Sequence, residues 1–353
     1  MLPDIKIALG FDDRSRKEID TTTQISRNIT IKYPLIASPM DTISDVEMCI
    51  CLNKMGAAGI LHRFMSIEHQ VQKAKNIKNE SGKCYVAVGL KDSTQRMTEL
   101  NKKIFPDLFF LDTANGSSIL VEEFTRWAKE TFAQDIIVGN TLTKESVRRL
   151  VNLGADGFRS GIGGGSVCVT SLETGVGCPH LMSNYYGWKA IRNWYLEKKD
   201  LEEDNDIKRP SLLVDGGIRY PSDLVKSIVS GADAVICGSI FAGCKETPGI
   251  PIRDKQERLL KKYRGMASKE VVEDYEIWDG TPENLFVEGE ERLIPYRDIS
   301  AQDIVFRFVN GLRSAMSYLN FCSIDDMRGS LWTGKTLAVR ITANSLYERQ
   351  AHK

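Results

Sequence analysis

The sequence predicts a single (β/α)8 barrel carrying an active-site flap. Three observations lead there. Strand-like and helix-like segments alternate along nearly the whole chain. Eight strand candidates stand between the helical patterns. The polar and glycine-rich segments follow the strands, and in a closed barrel those positions converge on one face. A doubly wound open sheet is the structural rival.

The strand candidates are Leu35–Ala37, Ala58–Leu61, Cys84–Val88, Leu108–Asp112, Ile136–Gly139, Gly157–Gly161, Leu212–Asp215 and Ala234–Gly238. Each is a short apolar run bounded by turn residues. Amphipathic stretches between them include Ser66–Asn79, Ser118–Thr131, Thr143–Leu153 and Pro221–Ser230, and Ala301–Leu319 supplies the last helix. Thr143 with Glu145, and Ser222 with Asp223, read as helix starts. GADGF at Gly154 and GADAV at Gly231 each carry a helix end into a strand. The charged run Leu196–Asp206 reads as a solvated helix end plus loop. Lys269–Val287 lacks periodicity and contains DGTPEN, a turn signal, so it reads as a long loop. Residues 269–300 are therefore assigned to a flap before the last helix, and residues 161–180 to a separate glycine-rich loop.

Composition narrows the function. The chain has 353 residues, 42% hydrophobic and 27% charged, enough for one large core. Lys+Arg and Asp+Glu both number 47, so no basic surplus argues for nucleic acid. Apolar runs are strand-sized, which argues against a membrane span. The first residues lack a basic segment followed by an apolar stretch, so no signal peptide is expected. Eight cysteines without zinc-type spacing suggest free thiols in a reducing, cytoplasmic setting. Cys49 and Cys51 fall in a helical pattern and are expected to be buried. Cys237 falls within a strand.

The chemistry concentrates after the strands. SPMDT (Ser38–Thr42) follows the first, DTANG (Asp112–Gly116) the fourth and Gly139-Asn140 the fifth. DGG (Asp215–Gly217) follows the seventh and Gly238-Ser239 the eighth, the usual phosphate positions of such barrels. After the sixth comes GIGGGSVCVTSLETGVGCP, with Cys168 among six glycines. A core cysteine sits among Leu, Ile and Val. This one lies where the backbone bends sharply and presents amides to a ligand. A thiolate there could attack an electrophilic carbon. GIGGGS is not a dinucleotide-binding fingerprint, because it follows the sixth strand and carries the cysteine.

Together these residues resemble the family of IMP dehydrogenases and GMP reductases. The resemblance rests on ASPMDT, DTANG, GIGGGSVCVT with TGVG, VDGGIR, GS with AG, YRGMAS, VEGE and GLRSAMSY, in order and over nearly the whole chain. It implies that Cys168 adds to C2 of a purine nucleotide. The dehydrogenase then passes hydride to NAD+ and hydrolyses the intermediate to XMP. The reductase expels ammonia from GMP and takes hydride from NADPH.

Three features favour the reductase. Met65 and Val86 flank only one helix's length of chain, leaving no room for the regulatory CBS modules common in dehydrogenases. Lys269–Val287 contains no arginine, so the flap Arg–Tyr pair that activates water in the dehydrogenase has no counterpart. DTANG resembles the reductase segment more closely. The expected activity is therefore NADPH-dependent reductive deamination of GMP to IMP and ammonia. An IMP dehydrogenase without CBS modules and a non-catalytic nucleotide-binding relative are the rivals.

The resemblance implies site residues. Thr170 and Glu288 match the reductase pair that protonates the leaving amine, with Glu290 as the rival carboxylate. A loop hydroxyl bonded to backbone is the plainer reading of Thr170. Gly216, Gly217, Gly238 and Ser239 match the 5′-phosphate site, and Asp215 the ribose site. Ser38 and Met40 match the base and ribose side, Met266 and Ser268 the purine readers. Met40 and Met266 equally suit barrel packing. Asp112, Asn115 and Asn140 match the cofactor side. Ser314 and Tyr318 match residues that reach a neighbouring subunit's dinucleotide in a homotetramer, and equally suit an ordinary helix face. Carbonyls of Gly163, Gly165 and Cys168 match an optional K+ site. The chain departs from the family at Gly164 (usually Pro), Val169 and Ser171 (Cys-Thr-Thr-Arg is usual), His180 (usually Gln) and Asn284–Val287, where the reductase has an arginine. The N-terminal segment is also shortened. These changes open a deoxynucleotide or modified guanine nucleotide as substrate.

Overall fold

The computed structural model describes residues 5–8, 15–141, 143–201, 206–275 and 286–340. Eight parallel strands close into a barrel: β1 (Leu35–Ala37), β2 (Ala58–Leu61), β3 (Tyr85–Val88), β4 (Leu108–Asp112), β5 (Asp135–Thr141), β6 (Gly157–Ser160), β7 (Ser211–Asp215) and β8 (Ala234–Cys237). Each strand pairs with its chain neighbours, and β8 closes on β1 through Cys237 opposite Ala37. The longer helices around the barrel are α1 (Val46–Met55), α2 (Ile67–Ser81), α3 (Ser93–Lys103), α4 (Ile119–Thr131), α5 (Lys144–Asn152), α6 (His180–Leu201), α7 (Pro221–Val229) and α8 (Ala301–Tyr318).

Alternation along the strands builds the layers. Ile36, Ile60, Phe110, Ile137, Leu213 and Ile236 belong to the cluster inside the barrel. Their neighbours Phe109, Leu111, Leu212, Val214 and Val235 are equally buried but pack outward, in the clusters that join the helices. Each such side chain removed from water contributes about 1.5–3 kcal/mol. A two-stranded hairpin, Thr23–Gln24 with Thr30–Ile31, supplies Ile25 and Ile31 to the same interior and closes the N-terminal end. It is tied down there, since Ser211 Oγ donates to the Ile25 carbonyl at 2.5 Å and Thr23 Oγ1 to the Asp233 carbonyl at 3.0 Å.

Thr143 caps α5 as expected, its hydroxyl accepting the Ser146 N–H at 3.2 Å. Ser222 does not cap α7. Pro221 opens that helix, and Asp223 Oδ2 accepts the N–H groups of Arg219 and Tyr220 at 3.0 Å each. Proline suits the first helical position, so the start moves ahead of the serine. Cys49 and Cys237 are buried, whereas Cys51 is only half-buried. The charged run from Leu196 is helical as far as Leu201, the end of α6.

The described residues between β8 and α8 form strands and a helix as well as loops. Strand β9 (Leu259–Arg264) pairs antiparallel with Ile252–Arg253 and with β10 (Glu291–Pro295). Lys269–Val287 opens with a helix, Lys269–Tyr275, whose first turn is capped by Ser268 and whose Val271 is fully buried. The turn signal DGTPEN and residues 284–285 lie outside the described residues. No described helix is long and apolar enough to cross a membrane.

Candidate active site

The C-terminal strand ends open into a cleft of about 1190 Å³. The structure brings most of the sequence-derived candidates to its wall: Ser38, Met40, Asp112, Asn140, Gly163, Gly165, Cys168, Thr170, Asp215, Gly216, Gly217, Gly238, Ser239, Met266 and Glu288. Four lie elsewhere. Exposed Asn115 uses its Oδ1 to accept the Ser117 N–H at 2.9 Å. Ser268 is fully buried as a helix cap. Ser314 and Tyr318 are on the outer part of α8, with Tyr318 exposed.

Cys168 is half-buried, and its Sγ lies 3.3 Å from Thr170 Oγ1. Thr170 begins a single helical turn, Thr170–Thr174. The segment around Glu288 runs antiparallel to the cysteine loop. Glu290 N–H donates to the Val167 carbonyl and Val169 N–H to the Glu288 carbonyl, both at 3.0 Å. On its other side Glu288 N–H reaches the Ala267 carbonyl at 3.1 Å. The two carboxylates nevertheless end in different surroundings. Glu288 faces the cleft, while exposed Glu290 is drawn to Arg292.

A buried charge network crosses the cleft floor. Arg159, on β6, pairs with Asp112 at 2.5 Å and with Asp215 at 3.0 Å. Arg63 pairs with Asp112 at 3.2 Å. Burial alone would raise the Asp112 carboxyl, but the Arg159 and Arg63 charges outweigh it and hold it below the usual carboxylate range. Asn140 Nδ2 donates to Asp215 at 3.2 Å and to the Gly161 carbonyl, tying β5 to the root of the cysteine loop. Asp41 anchors the far wall: Arg264 Nη2 reaches it at 2.5 Å and Tyr275 OH at 3.2 Å.

Sequence reasoning missed Ser166 and Tyr263. Their hydroxyls lie 3.2 Å apart beside the glycines after β7 and β8, and both line the cleft. Burial pushes the Tyr263 hydroxyl up, so it remains a donor at neutral pH. It also missed the part played by His180. A Cβ on Gly164 would lie 2.4 Å from His180 Nε2, and one on Gly217 would lie 2.2 Å from Cε1. The imidazole is thus wedged between the cysteine loop and the DGG turn. Burial holds it below the usual imidazole value despite the nearby Asp215 charge.

The arrangement offers a nucleophilic sulfur, a neighbouring hydroxyl and carboxylate, and amide and hydroxyl donors for an anion at the opposite end. Among the described residues no cluster of His, Cys, Asp or Glu could hold a metal ion.

A family profile described as the IMP dehydrogenase / GMP reductase domain matches residues 4–352. An inosine-5′-monophosphate dehydrogenase of Cryptosporidium parvum is 28% identical, over 99% of this chain and 94% of its own length. One of Borreliella burgdorferi is 30% identical over 98% and 97%. A GMP reductase of Lactobacillus gasseri is 33% identical over 86% and 85%. The chain belongs to the IMP dehydrogenase / GMP reductase family, oxidoreductases that act on purine nucleotides with a nicotinamide cofactor.

Proposed function

We propose that this family member is a GMP reductase-type enzyme, converting GMP or a related guanine nucleotide to IMP and ammonia with NADPH. The observation that carries the proposal is the absence of any arginine from Lys269–Val287. Hydrolysis of a covalent intermediate needs an activated water, and general-base assistance contributes about 10²–10⁴-fold. Without the flap base, a reaction that needs no water is favoured.

In this reading the Cys168 thiolate adds to C2, and the C2–N bond to the amino group breaks with release of ammonia. Thr170, 3.3 Å from the sulfur, and Glu288, on the same wall, deliver the proton that makes ammonia the leaving group. Bound NADPH would supply the hydride that takes the amine's place. The thiolate then leaves. Ser166, Gly216, Gly217, Gly238, Ser239 and Tyr263 hold the 5′-phosphate, and Asp215 the ribose. Met40 and Met266 flank the base.

The cofactor side fits a nicotinamide. Thr113 and Ala114 leave open wall beside Asp112, and the Arg63 guanidinium lies 4.4 Å from the Phe64 ring centre. Asp112 and Asn140 would orient the ring. Asn115, Ser314 and Tyr318 lie off the cleft, so a cofactor role for the last two requires a second copy of the chain. The homotetramer belongs to the same proposal. So does K+ on the carbonyls of Gly163, Gly165 and Cys168. The Gly165 carbonyl accepts the Cys168 N–H at 3.3 Å and keeps a second lone pair.

The test is NADPH oxidation followed at 340 nm with GMP and dGMP, in the intact protein and in Cys168→Ala. Nucleotide-dependent oxidation with ammonia release, lost in the variant, supports the proposal. Silence from folded protein that binds both nucleotides refutes it. The dehydrogenase reading draws on the near-complete coverage by relatives of that name. XMP formed from IMP and NAD+ would establish it instead.

A further inference from the structure

A second cavity, of about 800 Å³, lies behind the phosphate end of the cleft. Ser239 lines both, so the cavity begins where a 5′-phosphate on the β7 and β8 turns would end. Three arginines face it: Arg219 from the loop after β7, Arg297 ahead of α8 and Arg307 on α8. Asp303 is the single carboxylate in the wall, and its Oδ2 is engaged by the Ser300 N–H at 3.1 Å. Arg297 is partly committed, with Nη2 donating to the Ile240 and Ala242 carbonyls at 2.5 Å each.

Arg219 and Arg307 are different. Both are exposed, and among the described residues neither is paired with a carboxylate. Two uncompensated guanidinium groups therefore stand together in a chain whose net charge is zero. Ile304 and Phe308 form an apolar wall beside them. A planar guanidinium matches phosphate oxygens two at a time.

We propose that this cavity takes a second phosphoryl group, held by Arg219 and Arg307, while the nucleotide's own 5′-phosphate sits on the glycines. The group is either the outer phosphate of a purine nucleoside di- or triphosphate or a free phosphate bound alongside the nucleotide. The inference rests on the reading that Gly216, Gly217, Gly238 and Ser239 hold a 5′-phosphate. It is independent of which family reaction follows.

The experiment is calorimetric titration of the full chain with GMP, IMP, GDP and GTP, and with inorganic phosphate after saturation by GMP. The same titrations are run on Arg219→Gln/Arg307→Gln, with thermal unfolding as the fold check. GDP or GTP binding about tenfold or more tighter than GMP, with that margin lost in the double variant and GMP affinity unchanged, supports the nucleotide's own chain as the source. Free phosphate binding on top of GMP, lost in the double variant, supports the free anion. The proposal is overturned if neither occurs, or if the GDP and GTP margin survives in the variant. If GMP and IMP both fail to bind, the nucleotide reading fails on its own. The cavity is then judged by pyrophosphate alone, whose binding must weaken in the double variant.

Discussion

Replacing Arg159 by Gln removes the one cation that joins the two carboxylates of the cleft floor. Arg159 has a side chain 11% exposed, and Asp112 and Asp215 are 14% and 19% exposed. Leaving buried charges without their partner costs about 3–5 kcal/mol. Arg63 still reaches Asp112 and Asn140 still reaches Asp215, so the low end, about 3 kcal/mol, is expected at pH 7. The pH dependence carries the sharper sign. In the native protein the folded Asp112 carboxyl is held below its unfolded value of about 3.9. It therefore contributes stability above that value, lost as pH falls through the folded one. In Arg159→Gln burial gains the upper hand and the folded carboxyl rises. The variant's penalty is then greatest at neutral pH and relieved as the carboxyl protonates. Urea unfolding at pH 7 and pH 4.5 should show a wide gap between native and variant at the first and a narrower one at the second. A gap under about 1 kcal/mol at pH 7, or one that does not narrow on acidification, would refute the reasoning.

Gly164→Ala should cost about 1–3 kcal/mol, because the new Cβ meets His180 Nε2 and the ring is blocked behind by Gly217. On a His180→Ala background the same change should cost little, and equal melting-point losses in both backgrounds would refute the wedge. Glu288→Gln should lower kcat by about 10²–10⁴, whereas Glu290→Gln, drawn toward Arg292, should stay within about threefold of native in a 340 nm assay. At pH 7 an alkylating reagent should modify Cys168 ahead of Cys51, Cys244 and Cys49. Burial pushes their thiols up to about 11, 11 and 12 respectively. Peptide mapping checks the order, and saturating GMP should protect Cys168 alone.

The barrel was legible because each strand is a short apolar run ended by a turn residue. Cys84–Val88 and Ala234–Gly238 each overshoot the strand by one residue, within the fraying of any such boundary. The hairpin of β9 and β10 was not legible. LLKKYR and ERLIP hide their alternation under lysine and arginine stems, and the two strands pair although they stand far apart along the chain. The cleft was legible at glycines, whose spacing after the strands announces turns. It was opaque at Arg159 and at the Ser166–Tyr263 pair. Arg159 reads as an ordinary residue of β6 until closure of the sheet sets Asp112 and Asp215 on either side of it. No spacing along the chain encodes that meeting. Ser268 shows the converse: a motif match placed it at the base, but local hydrogen bonding turned it into a cap.

Nucleophile placement and flap placement are one structural event in this chain. Residues 288–290 lie between the cysteine loop and the Gly265–Ala267 turn, bonded to Val167 and Val169 on one side and to Gly265 and Ala267 on the other. Gly289 leaves no room there, since a Cβ would meet the Ser268 nitrogen at 2.9 Å. The strand therefore cannot slide by one residue without exchanging Glu288 for a neighbour that points away. That register sets the carboxylate and steadies the sulfur together. A change that loosens it should lower kcat and slow Cys168 alkylation protection by nucleotide in parallel. If Gly289→Ala weakened turnover yet left protection at the native level, the two functions would be separable and the shared register would not be their cause.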